Sequence, residues 1–522
     1  MKNKVYLLFS ILIFLVSFGL RFSIQETPFW VDEFSTAQEA KLILTHGLNV
    51  FTQNETLFET HNITTHFITA FSFMLLGIGE WQARVALMLI GSLTSVLLYL
   101  LAKKLTNNST AIAASLLYTF SYLQITWARQ ARGYVLQQLL VLTTLFLYQS
   151  LIEKFSKLKL ALFVVTAGFG MLTHATYLLV LIALAMHYSI FNRKHLIKVV
   201  THPLAFLILL CIVALSGYTG QLITIATWIS KLASTHPNNF SYYHSFLWRE
   251  QTVTAVLALL GGLLLFVTEK NKKTALLLML PISIYLLFVS FFFAPYVSRY
   301  LLAIFPLLYI AAGTTISQVA KLISKPQAAV WSLLISFFII ANGDTFVIKP
   351  KAFYSVNHDM REIALIDYNQ VYAIIKNKAD LEHGTTAIID TWPDRMKWYL
   401  GENSGHFYTF RWLNSPGLVN GLSKSTDYVV NENQEKYIPL SGVKPIKFVG
   451  ELSDLTEAMR KHPTGFIWID DASLPEDVIT YVTKNMHLEL YLDHYSLDDN
   501  PYSIWPGYLY SWGFETPNPD LK

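Results

Sequence analysis

Two adjacent carboxylates, Asp32 and Glu33, stand in the stretch W-V-D-E-F-S-T, shortly after the apolar run that opens the chain. Charge in hydrocarbon is costly, so the pair lies at or beyond the membrane interface. Two roles fit it there. The first is helix capping, by Asp32 itself or by Ser35 with Gln38 as its capping-box partner. The second is general-base chemistry: a carboxylate partly shielded from water gains basicity and can take a proton from an incoming hydroxyl. Spacing alone leaves both open. Further along the same loop His61, His66 and Glu59 could ligate a metal or make interfacial hydrogen bonds; hydrogen bonding is the favoured reading, and no metal is assigned.

These residues must be held by membrane helices. The chain has 522 residues, 53% hydrophobic and 14% charged, against roughly 25% charged in soluble domains. The net charge of +4 gives no footprint for nucleic acid. The single cysteine, Cys211, lies in an apolar run and can form no intrachain disulfide. About eleven segments reach the length needed to cross a bilayer: near 5–22, 84–102, 110–126, 134–152, 158–173, 174–191, 199–218, 252–268, 274–293, 300–318 and 327–342. The first is read as a retained span, because no small-residue cleavage site follows it.

Lysines and arginines recur in every second connection: Lys103 and Lys104, Lys154 to Lys159, Arg193 to Lys198, Lys270 to Lys273, Lys321 and Lys325. By the positive-inside rule these connections and the amino terminus are cytoplasmic. The apolar stretch 67–78 is too short to span and reads as an interfacial helix, so the whole loop 23–83 is outer, with helix-like pieces near 34–46 and 63–78. A second outer loop, 219–251, is rich in aromatics. The membrane domain is thus 1–342. From 343 to 522 charged residues are frequent and span-length runs cease. Short apolar stretches at 385–390 and 465–471 read as strands ending in acids, and 367–380 and 475–485 as helices. The expectation is a small extracytoplasmic α/β domain, and the lack of a disulfide fits a bacterial periplasmic or surface setting. The acidic pairs Asp470-Asp471 and Asp498-Asp499 read as caps or solvated groups.

Taken in order, the motifs resemble those of the GT-C glycosyltransferases, in the branch of protein O-mannosyltransferases and lipid A aminoarabinose transferases. Asp32-Glu33 matches the acidic pair of the family's first outer loop. The family's His-Pro-Pro-Leu stretch and the Gly, acid and Arg beyond it align with His61, Gly79, Glu80 and Arg84, although both prolines are missing. Arg132-Gly133-Tyr134 matches an Arg-x-Tyr after the third span, His174 a histidine at a later span, and Arg299-Tyr300-Leu301 an Arg-Tyr-Leu before a late one. The likeness covers about 1–320.

The resemblance implies a polytopic α-helical membrane protein of GT-C type with about eleven spans. It implies a sugar donor on a polyprenyl phosphate, an acceptor hydroxyl attacking on the outer face of a bacterial inner membrane, and inversion at the anomeric carbon. Asp32 would be the base. Arg132 and Arg299, with Arg129, would hold the lipid phosphate, because the guanidinium fork matches phosphate oxygens; the other reading of each is an interfacial anchor. His61, His174, Tyr134 and Tyr300 would line the pocket, although His174 could equally pair with a backbone carbonyl. The aminoarabinose transferases carry a second aspartate near the fourth span, where this chain reads R-G-Y-V-L-Q-Q-L without an acid, so Glu33 is the substitute. No cofactor is implied, and the acceptor is protein, lipid or glycan. The alternatives are a multi-span transporter, disfavoured because the spans are nearly free of charge and show no half-to-half repeat, and a ligand-binding receptor, which leaves the Asp32-Glu33 loop idle.

Overall fold

A computed structural model describes residues 2–22, 28–29, 31–51, 62–191, 238–267, 272–292, 298–343, 345–348, 367–379, 385–390, 393–401, 406–410, 429–430, 436–438, 446–469, 476–492 and 507–514. The chain divides into two compact units, one of residues 1–25 with 60–356 and the other of residues 26–59 with 357–522. His61, the expected span 199–218 and the pairs Asp470-Asp471 and Asp498-Asp499 lie outside the described residues.

The first unit is helical: α1 (Lys2–Arg21), α3 (Ile63–Leu76), α4 (Glu80–Leu105), α5 (Asn108–Phe120), α6 (Tyr122–Ala128), α7 (Tyr134–Glu153), α8 (Lys157–Thr173), α9 (Tyr177–Phe191), α10 (Phe240–Arg249), α11 (Thr252–Val267), α12 (Lys272–Phe291), a 3-10 turn (Ser298–Ile304), α13 (Phe305–Ile323) and α14 (Ala328–Asn342). Helix α2 (Val31–His46) belongs to the second unit. Apart from 199–218, the expected spans fall on helices: 110–126 on two, α5 and α6, 300–318 on the 3-10 turn and α13, and each of the others on one. Glu80–Leu105, Tyr134–Glu153, Lys272–Phe291 and Ser298–Ile323 are each long and apolar enough to cross a membrane, and α10 meets α11 at a bend of 101°. Large apolar residues such as Leu7, Leu8, Leu89, Leu162, Leu263 and Phe338 face outward, as a lipid-solvated surface requires.

The described lysines at the α4–α5 and α7–α8 connections and at the start of α12 lie at one end of this unit. Lys103 lies over the Tyr6 ring, and Lys273 lies 5.6 Å from the centre of the Phe191 ring. Lys104 pairs with Glu153, and Lys159 donates to the Ser150 and Lys154 carbonyls. The expected span 110–126 is broken at Ser121, where the backbone turns extended. A break at membrane depth needs other backbone partners. Residues 345–347 supply them: Tyr122 N–H donates to Thr345 O at 3.1 Å and Val347 N–H to Phe120 O at 2.9 Å.

The second unit is a mixed sheet of eight strands in the order β3-β4-β5-β2-β1-β6-β8-β7. Its strands are β1 (Thr386–Asp390), β2 (His406–Phe410), β3 (Val429–Val430), β4 (Lys436–Ile438), β5 (Ile446–Val449), β6 (Thr464–Ile469), β7 (His487–Leu492) and β8 (Gly507–Trp512). β5, β2, β1 and β6 run parallel, with antiparallel strands at both edges. The strands and helices expected around 385–390, 465–471, 367–380 and 475–485 are β1, β6, α15 (Tyr368–Lys378) and α18 (Glu476–Asn485). Ala387, Ile389, Ile467 and Ile469 form a core with Leu455 and Ala458 of α17 (Leu452–Lys461) and with Val478 and Val482 of α18. Neighbouring β1 residues point to the opposite face, where α15 lies with α16 (Pro393–Leu400). Helix α2 (Val31–His46) packs on α16.

Candidate active site

The helix ends of this unit away from the lysines carry the motif residues Glu80, Arg84, Arg132 to Tyr134 and His174, and helix termini explain the arginines gathered there. The last carbonyls of a helix lack internal partners and attract cations. Arg129 donates from Nε to Arg21 O and from Nη2 to Leu20 O, both at 3.1 Å, which caps α1. Arg21 in turn is fully buried. It donates to Thr119 O at 3.2 Å and Tyr118 O at 3.3 Å, which caps α5, and its guanidinium lies 5.2 Å from the centre of the Tyr118 ring. The two arginines therefore tie α1, α5 and α6 together. Arg21 was missed from the sequence, although an ionisable residue closing an apolar span is itself a signal.

Tyr134, His174 and Tyr300 meet in one cluster. Their ring centres are 5.8 Å apart for Tyr134 and His174, 5.7 Å for His174 and Tyr300, and 6.4 Å for Tyr134 and Tyr300. Trp127 closes on Tyr134 at 5.1 Å. Tyr134 is buried, whereas His174, Tyr300, Arg132 and Arg299 are half-buried. The Arg132-Gly133-Tyr134 corner also abuts α3: a Cβ on Gly133 would sit 2.6 Å from Thr65 Oγ1, 3.1 Å from Thr173 Cγ2 and 3.3 Å from Asn62 Oδ1. Gly133 has φ −71°, so glycine is needed here for closeness, not for its backbone angles. His66 is fully buried on α3.

Two glutamines hold this cluster, and they occupy the Q-Q of the stretch that lacks the family's acid. Gln138 donates from Nε2 to Leu302 O and to Gln124 Oε1, each at 2.7 Å, and accepts from the Tyr118 hydroxyl at 2.8 Å. It thus fastens the turn that bears Arg299 and Tyr300 onto α7. Gln137 donates to Thr176 Oγ1 at 3.0 Å, and Tyr285 donates to the same oxygen at 2.5 Å. A hydroxyl that accepts twice has one proton left to give. It goes to His174 Nδ1, 2.7 Å away, which also accepts from Thr176 N–H at 3.3 Å. With Nδ1 accepting, the neutral ring carries its proton on Nε2. His174 is thereby set as a hydrogen-bond donor beside the two tyrosines.

Asp32 and Glu33 lie in the first turn of α2, inside the helix and not at its cap. Carboxylates there are favoured by the helix dipole. Asp32 is half-buried and Glu33 fully buried. Among the described residues no group of three or more histidine, cysteine, aspartate or glutamate side chains could hold a metal ion.

The fold is shared with ArnT and, over less of the chain, with an archaeal oligosaccharyltransferase. Residues 60–218 match the family model described as dolichyl-phosphate-mannose-protein mannosyltransferase. The crystal structure of ArnT from Cupriavidus metallidurans bound to undecaprenyl phosphate superposes with a TM-score of 0.61 over 98% of this chain and 97% of that one, at 12% identity. Its apo form gives 0.58 over the same shares, also at 12% identity. The archaeal oligosaccharyltransferase AglB from Archaeoglobus fulgidus, in complex with an inhibitory peptide and a dolichol-phosphate, gives 0.51 at 11% identity over 77% of this chain and 64% of that one. No curated protein matches the chain.

Proposed function

We propose that the protein is a membrane glycosyltransferase that moves a sugar from a polyprenyl phosphate to an acceptor hydroxyl on the outer face of a bacterial inner membrane. The observation that carries this reading is the cluster of Tyr134, His174 and Tyr300, three residues far apart in sequence and each drawn from a motif of the family. The polyprenyl phosphates bound in the ArnT and AglB structures support the donor class.

In the reaction the acceptor oxygen attacks the anomeric carbon as the bond from that carbon to the phosphate oxygen breaks. The bonding pair stays on the phosphate, the acceptor proton passes to the Asp32 carboxylate, and the configuration inverts. Arg132 and Arg299 bind the phosphate, where charge grows as the bond breaks. Arg129, two of whose donors cap α1, has the smaller share. His174 offers its Nε2–H, and Tyr134 and Tyr300 pack the sugar. Glu33 sets the first turn of α2 around Asp32.

Purified protein in lipid nanodiscs, given a panel of polyprenyl-phosphate sugars and cell-envelope acceptors, should release free polyprenyl phosphate only when donor and acceptor are both present. No release across the panel, with donor binding also absent, would overturn the reading. Mass spectrometry of envelope fractions with and without the gene identifies the acceptor.

A further inference from the structure

Residues 26–59, which carry Asp32, pack into one compact unit with residues 357–522. Phe34, two residues beyond Asp32, is buried to 1% exposure. Its ring meets Tyr368 edge-on at 6.1 Å and Tyr399 at 5.9 Å. Behind these rings lies a closed circuit. The Arg395 guanidinium sits 4.3 Å from the centre of the Tyr368 ring and donates to the Tyr368 hydroxyl. Arg395 is ion-paired with Asp390, the last residue of β1. Asp390 accepts from the Tyr372 hydroxyl, and the Tyr372 ring stacks on Tyr399 at 4.8 Å, which returns the path to Phe34. Phe29 adds a second anchor, against Phe34 at 5.5 Å and Trp398 at 5.0 Å, and Lys41 lies 4.9 Å from the centre of the Trp398 ring.

A buried ion pair is weak evidence of stability, since apolar packing of the same volume serves as well or better. Its best-attested use is to fix the register of the elements it joins. Burial first, and the Asp390 carboxylate second, push the Tyr372 phenol well above its usual range, so it stays a donor to Asp390. Residues i and i+2 of a helix do not share a face. Pinning Phe34 inward therefore turns Asp32 away from the sheet, in keeping with its being half-buried while Phe34 and Glu33 are wholly enclosed.

We propose that this ring of Phe34, Tyr368, Arg395, Asp390, Tyr372 and Tyr399 is a clamp by which the outer domain sets the rotation of the helix bearing Asp32, making the domain's buried network a positioning device for the catalytic acid. The inference rests on the reading of Asp32 as the base. The full-length protein in nanodiscs is assayed for transfer and for donor binding, with Phe34→Leu and Tyr372→Phe as mild variants. Val482→Ala, in the core on the opposite face of the sheet, serves as a matched destabilised control. The clamp variants should lose tenfold or more in kcat while KM and Kd for the lipid donor stay within twofold, and Val482→Ala should keep its kcat despite a lower melting temperature. Wild-type kcat in both clamp variants, or an equal loss in Val482→Ala, would overturn the clamp. Asp32→Asn separates the two ideas: if it is inactive while the clamp variants are fully active, only the clamp fails. If Asp32→Asn is fully active, the reading of the base fails and the clamp with it.

Discussion

Replacing Gly133 by alanine tests whether three distant segments meet as described. The added Cβ would lie 2.6 Å from Thr65 Oγ1, with Thr173 Cγ2 at 3.1 Å and Asn62 Oδ1 at 3.3 Å. The backbone angles of Gly133 suit any residue, so the cost is one of overpacking, about 1–3 kcal/mol. Thr65 is buried and its hydroxyl has no protein partner among the described residues. Thr65→Ala should therefore cost less than about 1 kcal/mol, without the penalty of orphaning a partner. In the double variant the shortest contact is gone while those at 3.1 and 3.3 Å persist, so recovery should be partial, with a coupling of roughly 1–2 kcal/mol. Thermal unfolding in nanodiscs supplies the four corners of the cycle, and donor KM follows the Arg132-Gly133-Tyr134 corner alongside. Strictly additive effects in stability and in KM would refute the packing of α3 against that corner.

Gln138→Leu removes three hydrogen bonds; at an average of about 0.6 kcal/mol each for interhelical bonds in membranes, stability should fall by roughly 2 kcal/mol. Donor KM should rise as the turn bearing Arg299 loosens. Thr176→Val should reduce transfer tenfold or more by releasing the tautomer of His174, while Thr176→Ser keeps activity; nitrogen chemical shifts of labelled histidine report the tautomer directly. In the α/β unit burial holds His406 and His462 below their ordinary range, helped by Lys447 at His406 and by His406 at His462. Their neutral forms are favoured only in the folded state, so stability is complete above the unfolded value near 6.5 and is lost as pH falls below it toward the folded values. Melting temperatures between pH 7.5 and 5.5 should show this decline, and His462→Asn should flatten it.

What the sequence revealed and what it hid follow from the range of each interaction. Helices and strands depend on local periodicity, so α4, α7, β1 and β6 were legible from runs of apolar residues. The motif residues Arg132, Tyr134, His174, Arg299 and Tyr300 were legible by resemblance. Their supports were not: Gln138 reaches Leu302 and Thr176 joins Gln137 to Tyr285, contacts between residues distant in sequence that no periodicity encodes. The break at Ser121 was hidden for the same reason, because the partners of its backbone lie at 345–347. The one local hint was polarity inside apolar runs, at Arg21 and at Gln137-Gln138, which marks residues that must find buried partners. Nothing in residues 26–59 announces that they pack with 357–522, since Phe34 reads in sequence as one more apolar residue of a helix-like piece.

The central claim is that a carboxylate in the first outer loop activates the acceptor for attack on a lipid-linked sugar. A single-turnover measurement on Asp32→Asn, loaded with the polyprenyl-phosphate sugar that the wild-type protein turns over, tests it most directly. The account predicts unchanged donor affinity and a transfer rate lower by about 10²–10⁴, the usual worth of a general base. Transfer at the wild-type rate would contradict it.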